Sequence, residues 1–234
     1  MENAGAFPGS LEAAAAASIS RWQRLLEQPG HGDHIAQLYH DDDSLLEPVR
    51  RFLDSGLRAG DGIVAVATLT RWRTIRRWLA RGGTNVDSAI GLGQLRFLGA
   101  HNVLLSWTRA GCTQAAFDES AGGTVGAMQA RYGAVRVFSD LADVLLKADT
   151  SLAAANVQGA WNVFLSGRPV ALLSACRMDR RLDERTNAVR LQSLCVAQDR
   201  IIPDLRWLMK NMPRAAERVL AAAREPPQKP ESSA

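Results

Sequence analysis

The sequence predicts an α/β protein of three layers, in which helices cover both faces of a mainly parallel central sheet. The run over residues 63–68 is continuously apolar, as in strands that are buried on both faces. Segments with helical periodicity alternate with such runs over most of the 234 residues, and this alternation favours parallel strands joined by crossover helices. The hydrophobic fraction of 47% is sufficient for one domain with a substantial core.

The N-terminal part is predicted to form an amphipathic helix over residues 11–27. Ile19, Trp22, Leu25 and Leu26 recur there at helical spacing, and the neighbouring alanines favour helix. Residues 28–33 are rich in turn formers and are expected to form a hinge. We therefore expect this helix to lie outside the main domain.

The next segment is predicted to form a strand, a helix, a strand and a second helix. Asp43 or Ser44 is expected to cap the first of these helices, and Gly56 and Gly60 are expected to end it. The predicted bounds are a strand at 34–39, a helix from 44, a strand at 63–68 and a helix at 70–81.

The rest of the domain continues the same alternation. The region 101–132 is expected to be mostly helical with a break at Gly122 and Gly123, and Ser139 is expected to cap a later helix. The remaining predicted elements are strands at 94–98, 134–138 and 170–176, and helices at 139–146, 151–165, 204–212 and 214–224. The predicted organisation is an N-terminal helix and hinge at 1–30, an α/β domain at 31–203, C-terminal helices at 204–224 and a disordered tail at 225–234.

Composition restricts the cellular setting. No apolar run approaches the roughly 18 residues that span a bilayer, and the first residues lack the features of a secretion signal. We therefore expect a cytoplasmic protein without membrane association. Cys112, Cys176 and Cys195 are widely spaced, so neither a disulfide framework nor a zinc site is indicated.

The basic residues raise the question of a nucleic-acid partner. The net charge is only +4, and the segment 71–81 combines arginines with two tryptophans. Trp72, Ile75 and Leu79 form one apolar stripe at helical spacing, as on a half-buried helix with a solvated arginine face. Nucleic-acid binding is therefore not the favoured interpretation, although a DNA-binding regulator that uses the helix at Arg71 stays open as an alternative.

The turn after the first strand carries acid where a nucleotide-binding loop would carry glycine and lysine. Asp41, Asp42 and Asp43 would repel a triphosphate, whereas phosphate loops use backbone N–H groups and a lysine. Carboxylates suit hard cations, but adjacent side chains point in different directions, and acid at a helix start is favourable by itself. No nucleophile motif and no dinucleotide fingerprint is present, so neither catalysis nor a cofactor is expected.

Polar residues follow several predicted strands at their carboxyl ends, where open α/β sheets bind ligands. Such side chains would recognise a small polar ligand or sense redox state. The alternative is that Ser139 and Asp140 only cap a helix and that Cys176 is a small core residue. The residues at these ends are Tyr39, His40, Thr68, Ser139, Asp140, Cys176 and Arg177.

Three blocks resemble the MEDS family, the sensory domain named for methanogens, methylotrophs and the DcmR regulator. They are HIAQLYHDDDSLLEPVRRFLDSGLRAGDGIVAVAT from His34, VRVFSDLADVLL and AWNVFLSGRPVALLSACRMD, and together they span about residues 34–203. In the first block the His, the Tyr five residues on and the GLxxGD turn recur in the family in this order.

The resemblance implies a RecA- or KaiC-like fold without a Walker A loop, in a sensor or regulatory module that binds small organic ligands. Two positions depart from the family pattern: Gln158 replaces a frequent acidic residue, and Asp140 replaces the usual Glu. The positions of this sequence that match recurrent places of the family are His34, Tyr39, Asp140, Trp161, Asn162 and Cys176.

The expected function is that of a non-enzymatic sensory or regulatory protein. Its terminal helices would engage a protein signalling partner or a second copy of the chain. A KaiC-like nucleotide-binding protein or ATPase is the first alternative, and the DNA-binding regulator is the second. The candidate ligand-binding residues are His34, Tyr39, His40, Thr68, Asp140, Trp161, Asn162 and Cys176.

Overall fold

A computed structural model describes residues 8–148, 150–178 and 200–204, with side chains described from Ser18 onward. The five predicted strands are present, and the structure adds a short helix at Val86–Gly91 and a strand at Arg200–Ile202 that the sequence did not predict. In chain order they are α1 (Pro8–Glu27), β1 (His34–Tyr39), α2 (Asp42–Ala59), β2 (Gly62–Ala67), α3 (Leu69–Arg81), α4 (Val86–Gly91), β3 (Leu95–Gly99), α5 (Ala100–Arg109), α6 (Gln114–Phe117), a π-helical turn (Asp118–Gly122), α7 (Gly123–Tyr132), β4 (Val135–Ser139), α8 (Leu141–Lys147), α9 (Ser151–Leu165), β5 (Val170–Arg177) and β6 (Arg200–Ile202). The helices predicted after residue 204 and the predicted tail lie outside the described residues.

The sheet contains six strands in the order β3-β2-β4-β5-β1-β6, and every described pair is parallel. Helices α1 to α4 pack on one face, around Phe52, Ile63 and Phe138. Helices α5 to α9 pack on the other face, around Phe117 and Trp161. The predicted three-layer α/β class is therefore confirmed.

The predicted start of α2 needs correction. Asp41 is the N-cap, and its side chain accepts a hydrogen bond from the backbone N–H of Ser44 while the Ser44 hydroxyl faces the N-cap backbone. Neither Asp43 nor Ser44 is the cap itself. Because Asp42 and Asp43 lie in the first turn, the acidic residues stabilise the helix start in the way that the sequence suggested.

The two glycines near the end of α2 have different structural roles. Gly56 does not end the helix: a β-carbon there would lie 2.7 Å from Cδ of Arg136 and 2.9 Å from Cδ1 of Ile63. Gly60 ends it with φ of 85°, a left-handed conformation that glycine adopts without strain. Asp61 then accepts a hydrogen bond of 2.7 Å from Nε of Arg136, so the GLxxGD turn is built around one buried arginine.

Two further local predictions are wrong. Gly122 and Gly123 do not break the helical region, because both keep helical backbone angles. The interruption lies instead at Gly111 and Cys112, both with positive φ. Ser139 is the last residue of β4, and the N-cap of α8 is Asp140, whose side chain makes no capping bond.

The C-terminal turn of α1 packs against α2. Leu26 is 3% exposed and belongs to the core, and its carbonyl accepts a hydrogen bond from Arg136. Ile19, about two turns nearer the N-terminus, is 41% exposed. The two residues show that the apolar stripe of α1 is buried only in part.

Candidate functional site

The carboxyl ends of β2 and β4 lie side by side at a topological switch point. The helix after β2 packs on one face of the sheet, and the helix after β4 packs on the other. Crevices that bind ligands in open α/β sheets form at such points. Here Oδ2 of Asp140 accepts a hydrogen bond of 3.0 Å from the backbone N–H of Thr68, so the structure brings these two predicted residues together.

Tyr39 reaches the same edge from β1. Its hydroxyl donates a hydrogen bond of 2.7 Å to Oδ2 of Asp143, and it accepts one of 3.0 Å from Nη2 of Arg71. We call Tyr39, Arg71, Asp140 and Asp143 the carboxyl-edge cluster. Its members come from β1, α3, the end of β4 and α8, so it forms only when the complete sheet is assembled.

Local capping fixes the position of Arg71. Thr68 is the N-cap of α3, and its side chain accepts a hydrogen bond of 3.2 Å from the backbone N–H of Arg71. The guanidinium then lies over the ring of Tyr39, 5.4 Å from its centroid. Its Nη1 donates to Oδ1 of Asp42 at 2.7 Å, and this ion pair forms the outer side of the cluster.

Two carboxylate oxygens of the cluster are buried and lack a partner. The side chains of Asp140 and Asp143 each keep Oδ1 without a hydrogen bond from any part of the chain that the structure describes. Asp140 is 2% exposed and Asp143 is 1% exposed. Unsatisfied buried acceptors are rare in native proteins, and an ordered water or ion is a common partner for them.

Burial changes the ionisation of the cluster. Desolvation raises the pKa of Asp140 to about 6; the Thr68 N–H opposes this rise, and the charge of Asp143 adds to it. Desolvation and the charge of Asp143 also raise the pKa of Tyr39. The phenol is therefore a hydrogen-bond donor throughout the physiological range, while Asp140 changes its charge within it.

A second buried polar group contains three of the predicted residues, but it lies inside the core. His34 donates from Nδ1 to Oδ1 of Asn162, and its Nε2 lies 3.0 Å from Oγ of Ser174. Ser174 lies 3.2 Å from Oε1 of Gln158. Trp161 is fully buried in the same helix, α9. This group packs between α9 and strands β1 and β5. His34 begins β1 whereas Tyr39 ends it, so His34 lies at the opposite edge of the sheet from the carboxyl-edge cluster.

The last two predicted residues have other surroundings. His40 is buried at the end of β1, and its Nδ1 lies 3.2 Å from Oδ2 of Asp204, just after β6. Cys176 is fully buried in β5, opposite Leu38, among the residues that pack against α5 to α9.

Sequence reasoning missed Arg71, Asp143 and Lys147 as site residues. Arg71 was grouped with a solvated arginine face, but it is 8% exposed. The signal was its position one turn before Ile75 and two turns before Leu79, on the stripe that faces the core. For Asp143 and Lys147 the signal was the i,i+4 pair, which forms a hydrogen bond of 2.9 Å.

An open depression of about 330 Å³ lies at the amino edge of the sheet rather than beside the cluster. Its walls come from the end of α2, the turn between α3 and α4, and the residue before β3. Asp54 lines the depression, and its carboxylate accepts hydrogen bonds from Thr84 and Arg58. The depression is therefore separate from every predicted site residue.

Among the residues that the structure describes, no group of three or more His, Cys, Asp or Glu side chains is arranged to hold a metal ion. Among the described helices, none has both the length and the apolar character needed to cross a membrane.

The parallel sheet and its buried polar edge place this chain among three-layer α/β proteins. The family model of MEDS, described as the methanogen/methylotroph, DcmR sensory domain, matches residues 33–191. The chain therefore belongs to the MEDS family, which is a family of sensory domains rather than of enzymes. No curated protein and no solved structure matches the chain.

Proposed function

We propose that this protein is a non-enzymatic sensor that binds a small polar ligand at the carboxyl-edge cluster and passes the signal to a protein partner. Membership of a sensory family supports the signalling role. The observation that carries the choice of site is the pair of buried, unpartnered Oδ1 atoms of Asp140 and Asp143. A ligand with hydrogen-bond donors would satisfy both atoms and remove the cost of leaving them unpaired.

The position of the cluster supports a relay. Arg71 belongs to α3 on one face of the sheet, and Asp143 belongs to α8 on the other. A ligand held between them would bias how the two helix layers sit against the sheet edge. A difference in affinity between two such arrangements is sufficient to convert binding into a signal. The exposed part of α1 at Ile19 is a candidate surface for the partner.

A thermal-shift screen of the purified chain tests the proposed site. The panel contains small organic alcohols, amines and acids, together with ATP and Mg²⁺. A ligand at about 100 times its Kd adds about 2.7 kcal/mol of stability, which raises the Tm of a chain of this size by roughly 5–11 °C. Asp140→Asn and Asp143→Asn should abolish this rise, whereas the exposed control Asp87→Asn should keep it.

The variants must first be shown to fold, by circular dichroism and a cooperative melt. A shift that survives in both Asp140→Asn and Asp143→Asn would place the ligand elsewhere, for example in the depression beside Asp54. A shift with ATP and Mg²⁺ would instead support the nucleotide-binding alternative. If no compound shifted the wild-type protein, the ligand-binding proposal would be wrong.

A further inference from the structure

We infer that the carboxyl-edge cluster selects a small organic cation that carries a primary ammonium group. This inference rests on the ligand-binding role proposed above and names the chemical class of the ligand. It is derived from the hydrogen-bond demand and the charges of the cluster.

The unpartnered atoms of the cluster are acceptors, so a ligand must supply hydrogen-bond donors. An ionised carboxylate only accepts hydrogen bonds, and the two unpartnered oxygens, Oδ1 of Asp140 and Oδ1 of Asp143, lie in one cluster. Arg71 does not serve them: its Nη1 donates to Asp42 and its Nη2 to Tyr39, and neither Oδ1 atom has a described partner. A primary ammonium brings three N–H donors on one atom, which suits two acceptors that belong to neighbouring residues.

The charge of the cluster also favours a cationic ligand. Asp140, Asp143 and Arg71 are its nearly buried ionisable groups, so the ionised cluster carries one negative charge in excess. The charges at its outer side are more exposed: Asp42 pairs with Arg71, Lys147 pairs with Asp143, and Arg177 ends β5. Lys147 pairs with Asp143, but no described ion pair reaches Asp140. A buried carboxylate without a paired cation is costly, and a bound cation would supply the missing charge.

Lys147 provides an internal precedent for ammonium binding. Its Nζ donates to Oδ2 of Asp143 at 2.9 Å, although half of the lysine side chain is exposed to solvent. Asp143 therefore already accepts an ammonium group on one oxygen and keeps the other available. Since both cations act on the same carboxylate, Lys147 should weaken the binding of a second ammonium by repulsion.

Binding should depend on pH through Asp140. The site carries its full negative charge only where Asp140 is ionised, and burial raises the pKa of this carboxyl to about 6. Asp143, Arg71, Lys147 and Thr68 surround the group, and Asp42 and Arg177 lie beyond them. From pH 7 to pH 5 the ionised fraction of such a carboxyl falls about tenfold, so ammonium affinity should fall by about the same factor.

Calorimetric titration of the full chain at constant ionic strength tests the inference. The ligands are n-propylammonium chloride and 1-propanol, which is a neutral analogue of similar size. We expect propylammonium to bind at pH 7, about tenfold more weakly at pH 5, and propanol to bind at least tenfold more weakly than the cation. Lys147→Met should tighten propylammonium binding several-fold, and Asp143→Asn should abolish it. Arg81→Met, which removes an exposed cation far from the cluster, should leave the affinity unchanged.

The outcomes separate the two proposals. If propanol bound as tightly as propylammonium, or if Lys147→Met weakened binding, the cation class would be wrong. If neither probe bound but another compound stabilised the wild-type protein and not Asp140→Asn, the cation class would fail and the proposed site would stand. If no compound stabilised the protein through these residues, both proposals would fail.

Discussion

The hydroxyl of Tyr39 donates a hydrogen bond of 2.7 Å to Asp143, which lies 104 positions further along the chain. Tyr39 ends β1 and belongs to the core on the side of α1 to α4, whereas Asp143 lies in the first turn of α8 on the opposite face. The bond therefore passes around the carboxyl edge of the sheet and links its two helix layers. The same hydroxyl accepts from Arg71, so three elements converge on one oxygen atom.

Tyr39→Phe should destabilise the protein by about 1–2 kcal/mol, because it removes two buried hydrogen bonds, one donated to Asp143 and one accepted from Arg71. Urea denaturation measures the loss. Tyr132→Phe is the matched control: its hydroxyl donates to the Leu92 carbonyl at an exposed position, and its loss should cost less than about 1 kcal/mol. Equal losses in the two variants would contradict the importance of the buried contact.

Asp140 should make the protein less stable as the pH rises. The pKa of this carboxyl is about 6 in the folded protein and 3.8 as its ordinary value, so the folded state binds the proton more tightly than the unfolded chain does. Its contribution to stability is fully present below pH 3.8 and is lost as the pH rises through 6, by about 3 kcal/mol in total.

Asp140→Asn removes this titration. The difference in unfolding free energy between wild type and variant, measured by urea denaturation from pH 4 to pH 8, should therefore change by about 2 kcal/mol in favour of the variant. Asp87→Asn, at an exposed position, should keep the wild-type profile. A parallel pH profile for Asp140→Asn would show that this carboxyl does not titrate in that range.

Gly56→Ala should destabilise the protein by about 1–3 kcal/mol, because the added methyl group would overlap Arg136 and Ile63. Gly159→Ala provides the opposite control within a helix. No atom lies within 4 Å of the position where its β-carbon would be, so higher helix propensity should stabilise the protein by up to about 1 kcal/mol. Thermal melts measure whether each substitution lowers or raises the Tm. Stabilisation by both substitutions would contradict the close packing around Gly56.

Arg136→Met should cost about 3–5 kcal/mol, because it leaves Asp61 without its buried partner. The arginine also donates to the Leu26 carbonyl and to the Ser55 hydroxyl. Limited proteolysis should therefore cut α1 faster in this variant than in wild type. Arg96→Met, at an exposed position in β3, should change stability by less than about 0.5 kcal/mol and leave the cleavage rate unaltered.

Several elements could be predicted from the sequence because their signals are local. The apolar run of β2 identified a strand covered on both faces, and the stripe of Trp72, Ile75 and Leu79 identified the buried side of α3. Local signals failed for glycine. Gly56 serves the close approach of Arg136, which is 80 positions away. Gly122 continues a helix, and a β-carbon there would lie 2.8 Å from Cε2 of Phe164, which is also distant in sequence.

The candidate site was predictable only in part. Tyr39, Thr68 and Asp140 follow from the rule that carboxyl ends of parallel strands meet at one edge, since this rule needs no strand order. His34, Trp161 and Asn162 were expected beside them, but the structure places these residues in a separate core group.

The class of the fold and the acidic start of α2 could be predicted from the order of residues alone, because hydrophobic period and capping act over a few neighbouring residues. The burial of Arg71 and the hydrogen bond from Tyr39 to Asp143 arise only when the layers assemble. The reason is the strand order, which places β4 and β5 between β2 and β1. No local pattern encodes that order, and the burial that raises the pKa of Asp140 exists only after the layers have packed.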